Sequence, residues 1–338
     1  LVFSSIVGHR RLLQLLSRAV ARDTLPPALL LAGPSGVGKR RAAMSLARAI
    51  NCLSPVAGGD FERDACGACA ACRRIERGVH PDVIVLVPGD SGAIKIDPVR
   101  DVVDRAGFRP FEARRRVVII DEADALVEAA QSALLKTLEE PPSASVFLLV
   151  SSMPDALLPT VRSRCPRLRF AALSPAEVAS VLMRDHGYSE SDARVTAADA
   201  DGSVGRALAA SSADLGEARD DARRLLEETA RTANPAQRLE AVKSLTGTKG
   251  GTPAEERDRT SARCRALASL LRDLGVLATG ADRRVLANAD LATELERLSQ
   301  AFDRDRSLRA HASVDRALGA LERNASPKVV ADWLVLQI

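Results

Sequence analysis

Aromatic residues are scarce in this chain: one Trp, one Tyr and seven Phe among 338 residues. Gripping bases on rows of aromatic side chains is thereby excluded as its main business. Long apolar runs are missing as well. A membrane-crossing helix needs about 18 or more consecutive apolar residues, whereas runs such as 28–32 and 117–120 are only strand-sized. No basic stretch followed by an apolar one opens the sequence, so a secretory signal is not expected and the cytoplasm is the expected compartment, with no membrane partner. Neither sign of charge dominates, with 48 basic against 44 acidic residues and a net charge of +4. That excludes a protein that coats DNA by bulk positive charge, though not one that touches DNA inside an assembly.

A hydrophobic content of 46% beside 27% charged residues supports a buried core and argues against global disorder. The length predicts two or three domains. Up to about residue 170, short apolar runs at 28–32, 83–87, 117–120, 146–150 and 168–170 alternate with amphipathic stretches at 10–23, 38–50, 97–108 and 129–139. Strands separated by helices predict a parallel α/β sheet covered on both faces. Beyond residue 172 the strand signals stop. Ser174-Pro175-Ala176-Glu177 is a helix start, with Ser as N-cap, Pro at the first position and Glu at the third. The remainder is Ala/Leu/Arg-rich and helical, with breaks near Gly187, Gly202, Asn234-Pro235 and Pro327, and a glycine-rich loop over 246–253. Residues 1–170 carry 24 basic and 18 acidic residues, net +6, against 24 and 26, net −2, in the rest. The excess falls on the half where a phosphate ligand would bind, though an ordinary solvated surface explains it equally well.

The first motif is Gly33-Pro-Ser-Gly36-Val-Gly38-Lys39-Arg40, between a strand and a helix. This is the context of a phosphate-binding loop. Its glycines let successive N–H groups curl around phosphate oxygens, Lys39 reaches the terminal phosphates, and the helix N-terminus adds positive potential. The departure is Arg40, with Arg41 behind it, where a Mg²⁺-ligating hydroxyl belongs. A guanidinium ligates no cation. Two outcomes are open: Arg40 repels Mg²⁺ while ATP or ADP still binds, or it fills the pocket. Efficient hydrolysis is not expected in either case. The partner motif is 117–120 running into Asp121-Glu122, which puts a metal-coordinating and a water-activating carboxylate at the sheet's C-terminal edge.

The cysteines form the third constellation. Cys52, Cys66, Cys69 and Cys72 are spaced C-x13-C-x2-C-x2-C. Four thiolates suit a closed tetrahedral Zn²⁺ site of structural type, and the absence of a secretory signal favours metal over a disulfide framework. A redox disulfide pair is the alternative. Cys165 and Cys264 read as buried thiols. The run Arg114-Arg115-Arg116 reads as a solvated charge cluster or a contact for phosphates or a partner.

Three strings make the chain recognisable: Asp121-Glu-Ala-Asp124, Ala133-Leu-Leu-Lys-Thr-Leu-Glu-Glu-Pro-Pro142, and Leu158-Pro-Thr-Val-Arg-Ser163-Arg164-Cys165. They resemble the bacterial clamp-loader branch of the AAA+ ATPases, and the similarity extends over about residues 1–212, including Ile6-Val-Gly-His9. Such loaders are five-subunit spirals that open a ring-shaped sliding clamp and place it on primed DNA. The resemblance implies that Arg164 acts as an arginine finger in a neighbouring subunit's ATP site, and that His9 sits near the adenine unless it is a capping or surface residue. It implies gamma/tau and delta subunits as partners, with the sliding clamp and primer-template DNA inside the complex, at the nucleoid-associated replisome. It also implies an AAA+ α/β domain over 1–172 carrying the zinc module at about 52–73, a helical lid over 173–212 and an all-α collar over 213–338.

Motor subunits of that family carry a sensor arginine in a Gly-Ser-Leu-Arg-like turn of the lid. Here the turn is Gly202-Ser-Val-Gly205-Arg206, so Gly205 stands in the arginine's place. Arg206 is one residue late, about 100° around a helix. With Arg40 this makes two departures in the chain's own ATP site, while Arg164 is kept. The combination resembles the stator type of loader subunit. The alternatives are an active gamma/tau-like motor ATPase and a standalone AAA+ regulator.

Overall fold

Five apolar residues in a row, with no polar alternation, require burial on both faces of a sheet. In the computed structural model Ala28–Ala32 is such a strand, β1, buried at every position. The structure describes residues 2–338 except 90, 201, 210, 211, 233, 243–252, 281–285, 287, 289, 290 and 324. The chain divides into two compact units, Leu1–Leu208 and Ala209–Ile338.

The first unit opens with α1 (Arg10–Ala21), β1 and α2 (Lys39–Asn51). A small hairpin of β2 (Val56–Gly58) and β3 (Phe61–Asp64) and a short α3 (Ala70–Glu76) follow. Then come β4 (Val83–Leu86), α4 (Ile96–Ala106), β5 (Arg116–Ile120), α5 (Glu128–Glu139), β6 (Ser145–Ser151), α6 (Pro159–Arg162) and β7 (Arg167–Arg169). The main sheet has five strands in the order β4-β5-β6-β1-β7, all pairs parallel. Alternate residues of each strand serve opposite cores. Leu29, Leu31, Val117, Ile119 and Leu148 join Leu13, Leu16 and Leu46 on one face. Leu30, Val118, Ile120, Phe147 and Leu149 join Val99, Val102 and Leu134 on the other. The parallel α/β expectation is met. The hairpin is new: it lies in the long cysteine spacer, where no apolar alternation announces it.

Three helices complete the unit: α7 (Pro175–His186), α8 (Glu190–Asp199) and α9 (Val204–Ala209). The expected capping box is present: Ser174 Oγ accepts from Glu177 N–H at 3.3 Å, and Ser174 N–H donates to Glu177 Oε2 at 2.8 Å. Gly187 ends α7 in the left-handed conformation. These helices have a small core of their own, built on Leu173, Val178, Leu182, Ala193 and Ala207.

The second unit is helical among its described residues: α10 (Ser212–Arg231), α11 (Pro235–Ala241), α12 (Pro253–Ala278), α13 (Ala292–Leu298), α14 (Arg304–Glu322) and α15 (Pro327–Gln337). Leu225, Leu267, Leu271, Phe302, Val314 and Leu334 fill its core. Trp333 packs against that core, with the Arg316 guanidinium 5.3 Å from its ring centre. The loop expected over 246–253 lies outside the described residues, apart from Pro253, which opens α12. No described helix is long and apolar enough to cross a membrane.

The run 114–116 is not a free cationic patch. Arg114 and Arg115 both pair with Asp23, at 3.3 and 3.0 Å. Arg116 is buried and pairs with the fully buried Asp82 at 3.0 Å. Burial alone would raise the Asp82 carboxyl, but N–H groups of Glu112, Phe111 and Ala113 and the Arg116 guanidinium hold it down to about 2. Asp82→Ala leaves a buried guanidinium without its counter-charge, so it is expected to cost about 3–5 kcal/mol in urea unfolding. The carboxylate's contribution is complete above the ordinary range near pH 4 and is lost as pH falls toward 2. Wild type and variant should therefore converge in stability across that interval. A constant gap would contradict the assignment.

Candidate functional site

Strand β1 lies between β6 and β7, so the loop leaving its C-terminal end opens into the crevice where ligands bind in parallel sheets. Gly33 must be glycine, because a Cβ there would stand 2.1 Å from the Phe170 carbonyl oxygen. Gly38, in the left-handed region, leads into α2. A cleft of about 330 Å³ follows, lined among others by Ile6, Gly36, Lys39, Arg40, Asp121 and Gly205. Its size falls at the lower end of ligand pockets, about 300–1,000 Å³.

Lys39 is buried, and its Nζ donates to the carbonyls of Gly33 and Pro34, both at 2.6 Å. Burial lowers its pKa to about 8, against the opposing carboxylates of Asp124 and Asp121. Asp121 follows the last residue of β5, and its N–H donates to the Leu86 carbonyl at 2.9 Å. Glu122 lines the same cleft in the left-handed region, at φ 50°. Non-glycine residues seldom adopt that conformation, and they do so chiefly at functional turns. Asp124 accepts from the Ser152 N–H at 3.0 Å, tying this turn to the end of β6.

Both arginines after Lys39 are engaged. Arg40 Nη1 lies 3.1 Å from Asp121 Oδ2, across the place where a metal would bridge the two positions. Arg41 reaches Asp185 of α7 at 3.2 Å. The lid turn meets the loop through backbone: Gly205 N–H donates to the Gly36 carbonyl at 3.0 Å. A Cβ on Gly205 would stand 2.8 Å from Gly36 Cα, so a side chain there has no room in this arrangement. His9 does not line the cleft. Its Nε2 lies 3.0 Å from the Val37 carbonyl, and its ring packs edge-on to Phe170.

Arg164 lies two residues past the end of α6. Cys165 beside it is buried, as is Val161, so the Ser-Arg-Cys tripeptide is anchored in the core. Burial raises the Cys165 thiol to about 11 and the Cys264 thiol to about 12, in keeping with inert buried thiols. Arg164 Nη1 donates to the Thr160 carbonyl at 2.8 Å, and Nη2 pairs with Glu139. Its side chain keeps 32% of its surface exposed. Gln131, which nothing in the sequence singles out, positions this segment. It is buried, donates to the Leu126 carbonyl at 3.1 Å and accepts from the Leu158 N–H at 2.7 Å.

The sulfurs of Cys52, Cys66, Cys69 and Cys72 all lie within 4.8 Å of one another. Cys52 Sγ is 3.5 Å from Cys66 Sγ and 3.9 Å from Cys69 Sγ. A disulfide requires about 2.05 Å, whereas four thiolates at about 2.3 Å from one metal ion stand about 3.8 Å apart. N–H groups of Cys66, Cys69 and Cys72 donate to the sulfurs of Cys52, Cys66 and Cys69 respectively. The set fits a four-thiolate metal centre. Ala65, directly after the hairpin, packs with the cysteines, and Asp64 at the end of β3 accepts the N–H groups of Phe3 and Ser4 at 2.9 and 3.0 Å.

Counting only the strands of the main sheet, the spatial order is 2-3-4-1-5, with a phosphate loop after the first strand and Asp-Glu after the third. That arrangement defines an AAA+ P-loop domain. Residues 8–174 match the family described as DNA polymerase III, delta subunit. DNA polymerase III subunit delta' of Pseudomonas aeruginosa is 44% identical over 142 residues, 41% of this chain and 41% of that protein. DNA polymerase III subunit tau of Bacillus subtilis is 36% identical over 173 residues, 51% of this chain and 29% of that one. Each match thus covers less than half of the relative's length. A DNA polymerase III gamma subunit-related protein of Thermotoga maritima is similar in structure at a TM-score of 0.41, with 16% identity, 96% of this chain and 97% of that chain covered.

Proposed function

We propose that the chain is a delta prime-type stator subunit of a bacterial replicative clamp loader, working in the cytoplasm at the replisome. It completes the pentameric loader with gamma/tau and delta subunits and takes part in placing the sliding clamp on primer-template DNA. The observation that carries this reading is the contrast between two arginines. Arg40 is turned onto Asp121 of the chain's own cleft, 3.1 Å away, while Arg164 stands partly exposed on an anchored tripeptide.

In this reading Arg164 is the finger. A rigid guanidinium stabilises charge developing on a γ-phosphate held by a neighbour. The chain's own site keeps the phosphate-loop residues Gly33, Gly36, Gly38 and Lys39 and the acidic pair Asp121 and Glu122, but is impaired in hydrolysis. Cys52, Cys66, Cys69 and Cys72 hold a structural Zn²⁺. Residues 173–212 serve as the lid, and 213–338 as the collar that meets other subunits through apolar helix faces. The similarity to tau keeps the motor reading in view, but a motor needs a metal between position 40 and Asp121. Reconstitution tests the proposal. The full chain is expected to co-elute with gamma/tau and delta subunits in gel filtration, and failure to assemble would count against it.

A further inference from the structure

The cleft around residues 33–40 does not fit Mg²⁺. In P-loop sites the metal is held between the hydroxyl after the lysine and the carboxylate that ends the acidic strand. Here the hydroxyl is replaced by Arg40, and the carboxylate of Asp121 is taken by that guanidinium at 3.1 Å. A dication placed there would displace the guanidinium and be repelled by it. The cleft is nevertheless open, about 330 Å³, and the loop, Lys39 and Arg40 all line it. Arg41 lines it as well, and pairs with Asp185 at 3.2 Å.

We infer that Arg40 is the site's resident cation, and that the cleft takes a metal-free nucleoside polyphosphate. This deepens the proposed function and rests on its reading of residues 33–39 as a phosphate loop. A metal ion in such a site bridges carboxylate to phosphate. A guanidinium bridges the same two partners, because its five N–H donors form a planar fork. Nη1 meets Asp121, and Arg40 lines the cleft beside Ser35, Gly36, Val37 and Gly38 of the loop. Arg40 also sits in the first turn of α2, where Lys39 and the helix terminus already favour an anion. The arrangement replaces the metal's binding role while omitting its chemistry, since a guanidinium holds no water for attack. Arg40 is thereby a specificity residue, selecting the uncomplexed ligand over its Mg²⁺ complex.

The test is calorimetric titration of the full chain with ATP, once in excess EDTA and once in excess Mg²⁺. Binding is expected to be as tight or tighter in EDTA. Arg40→Thr, which restores the hydroxyl, is expected to reverse the order, binding about tenfold or more tightly with Mg²⁺. Wild-type binding that requires Mg²⁺ overturns the inference without help from any variant. If wild type binds in neither buffer but Arg40→Thr binds, Arg40 blocks the cleft: the inference fails and the phosphate-loop reading stands. If neither protein binds in either buffer, both fail.

Discussion

Arg164→Ala is expected to lower ATP turnover at the neighbouring site of the reconstituted loader by about 10³-fold or more, while assembly stays intact. Two features separate assembly from catalysis here. The side chain is held by the Thr160 carbonyl, the Ser163 hydroxyl and Glu139, all at the surface, so its loss opens no cavity. The fold beneath it rests on Cys165, Val161 and Gln131, which the substitution leaves alone. Freeing Arg164 from Glu139 costs little, because exposed ion pairs contribute about 0–1 kcal/mol. Arg164→Lys should restore only part of the rate, since an ammonium lacks the planar fork. DNA-dependent ATPase measured beside gel filtration decides it. Unchanged turnover in an assembled complex would refute the finger.

Loss of one cysteine of the cluster carries the second large effect. Purified wild-type chain is expected to hold about one zinc per molecule. Cys72→Ser should hold almost none, because a closed four-thiolate centre loses its shell with any one ligand. Binding free energies for such centres are about 10–16 kcal/mol, and much of that is folding free energy for a small module. The damage should spread in a defined direction. Asp64 of the hairpin accepts the N–H groups of Phe3 and Ser4, and Phe3 is fully buried in the core shared with α1 and α2. Ile6 and Val7, a few residues on, line the cleft beside the phosphate loop. Chelation should therefore raise hydrogen exchange at the start of the chain and across 52–73, and leave β5 and β6 protected. Metal analysis of freshly reduced protein that finds no zinc would discard the centre.

What the sequence announces and what it hides divide along a physical line. The five strands of the main sheet and helices α1, α2, α4 and α5 are local patterns and were legible to within a few residues, whereas the short α3 and α6 were not. The phosphate loop and the acidic pair, whose chemistry needs fixed spacings, were legible too. The hairpin 56–64 was not, because its strands are short and its first strand is exposed throughout. The triple arginine reads as one charge run, yet its third member lies in the core. Asp82, more than thirty residues away, and the carbonyls of Arg105, Phe108 and Arg109 separate it from the other two. Gln131 is an ordinary helix residue until folding brings Leu158 to its carbonyl oxygen. Likewise the sequence signals a missing arginine at 205 but not why the position is closed. That reason is the backbone of Gly36 lying against it. His9, read from the sequence as either near the base or a capping or surface residue, stands at the N-cap of α1, with its ring on Val37 and Phe170.

The central claim is that this chain serves a neighbour's ATP site and does not run its own. Steady-state turnover by the purified full chain, given ATP and Mg²⁺, tests it most directly. The expected result is no hydrolysis above the buffer rate, unaltered by Lys39→Ala. Robust turnover that Lys39→Ala abolishes would show a working motor and contradict the claim.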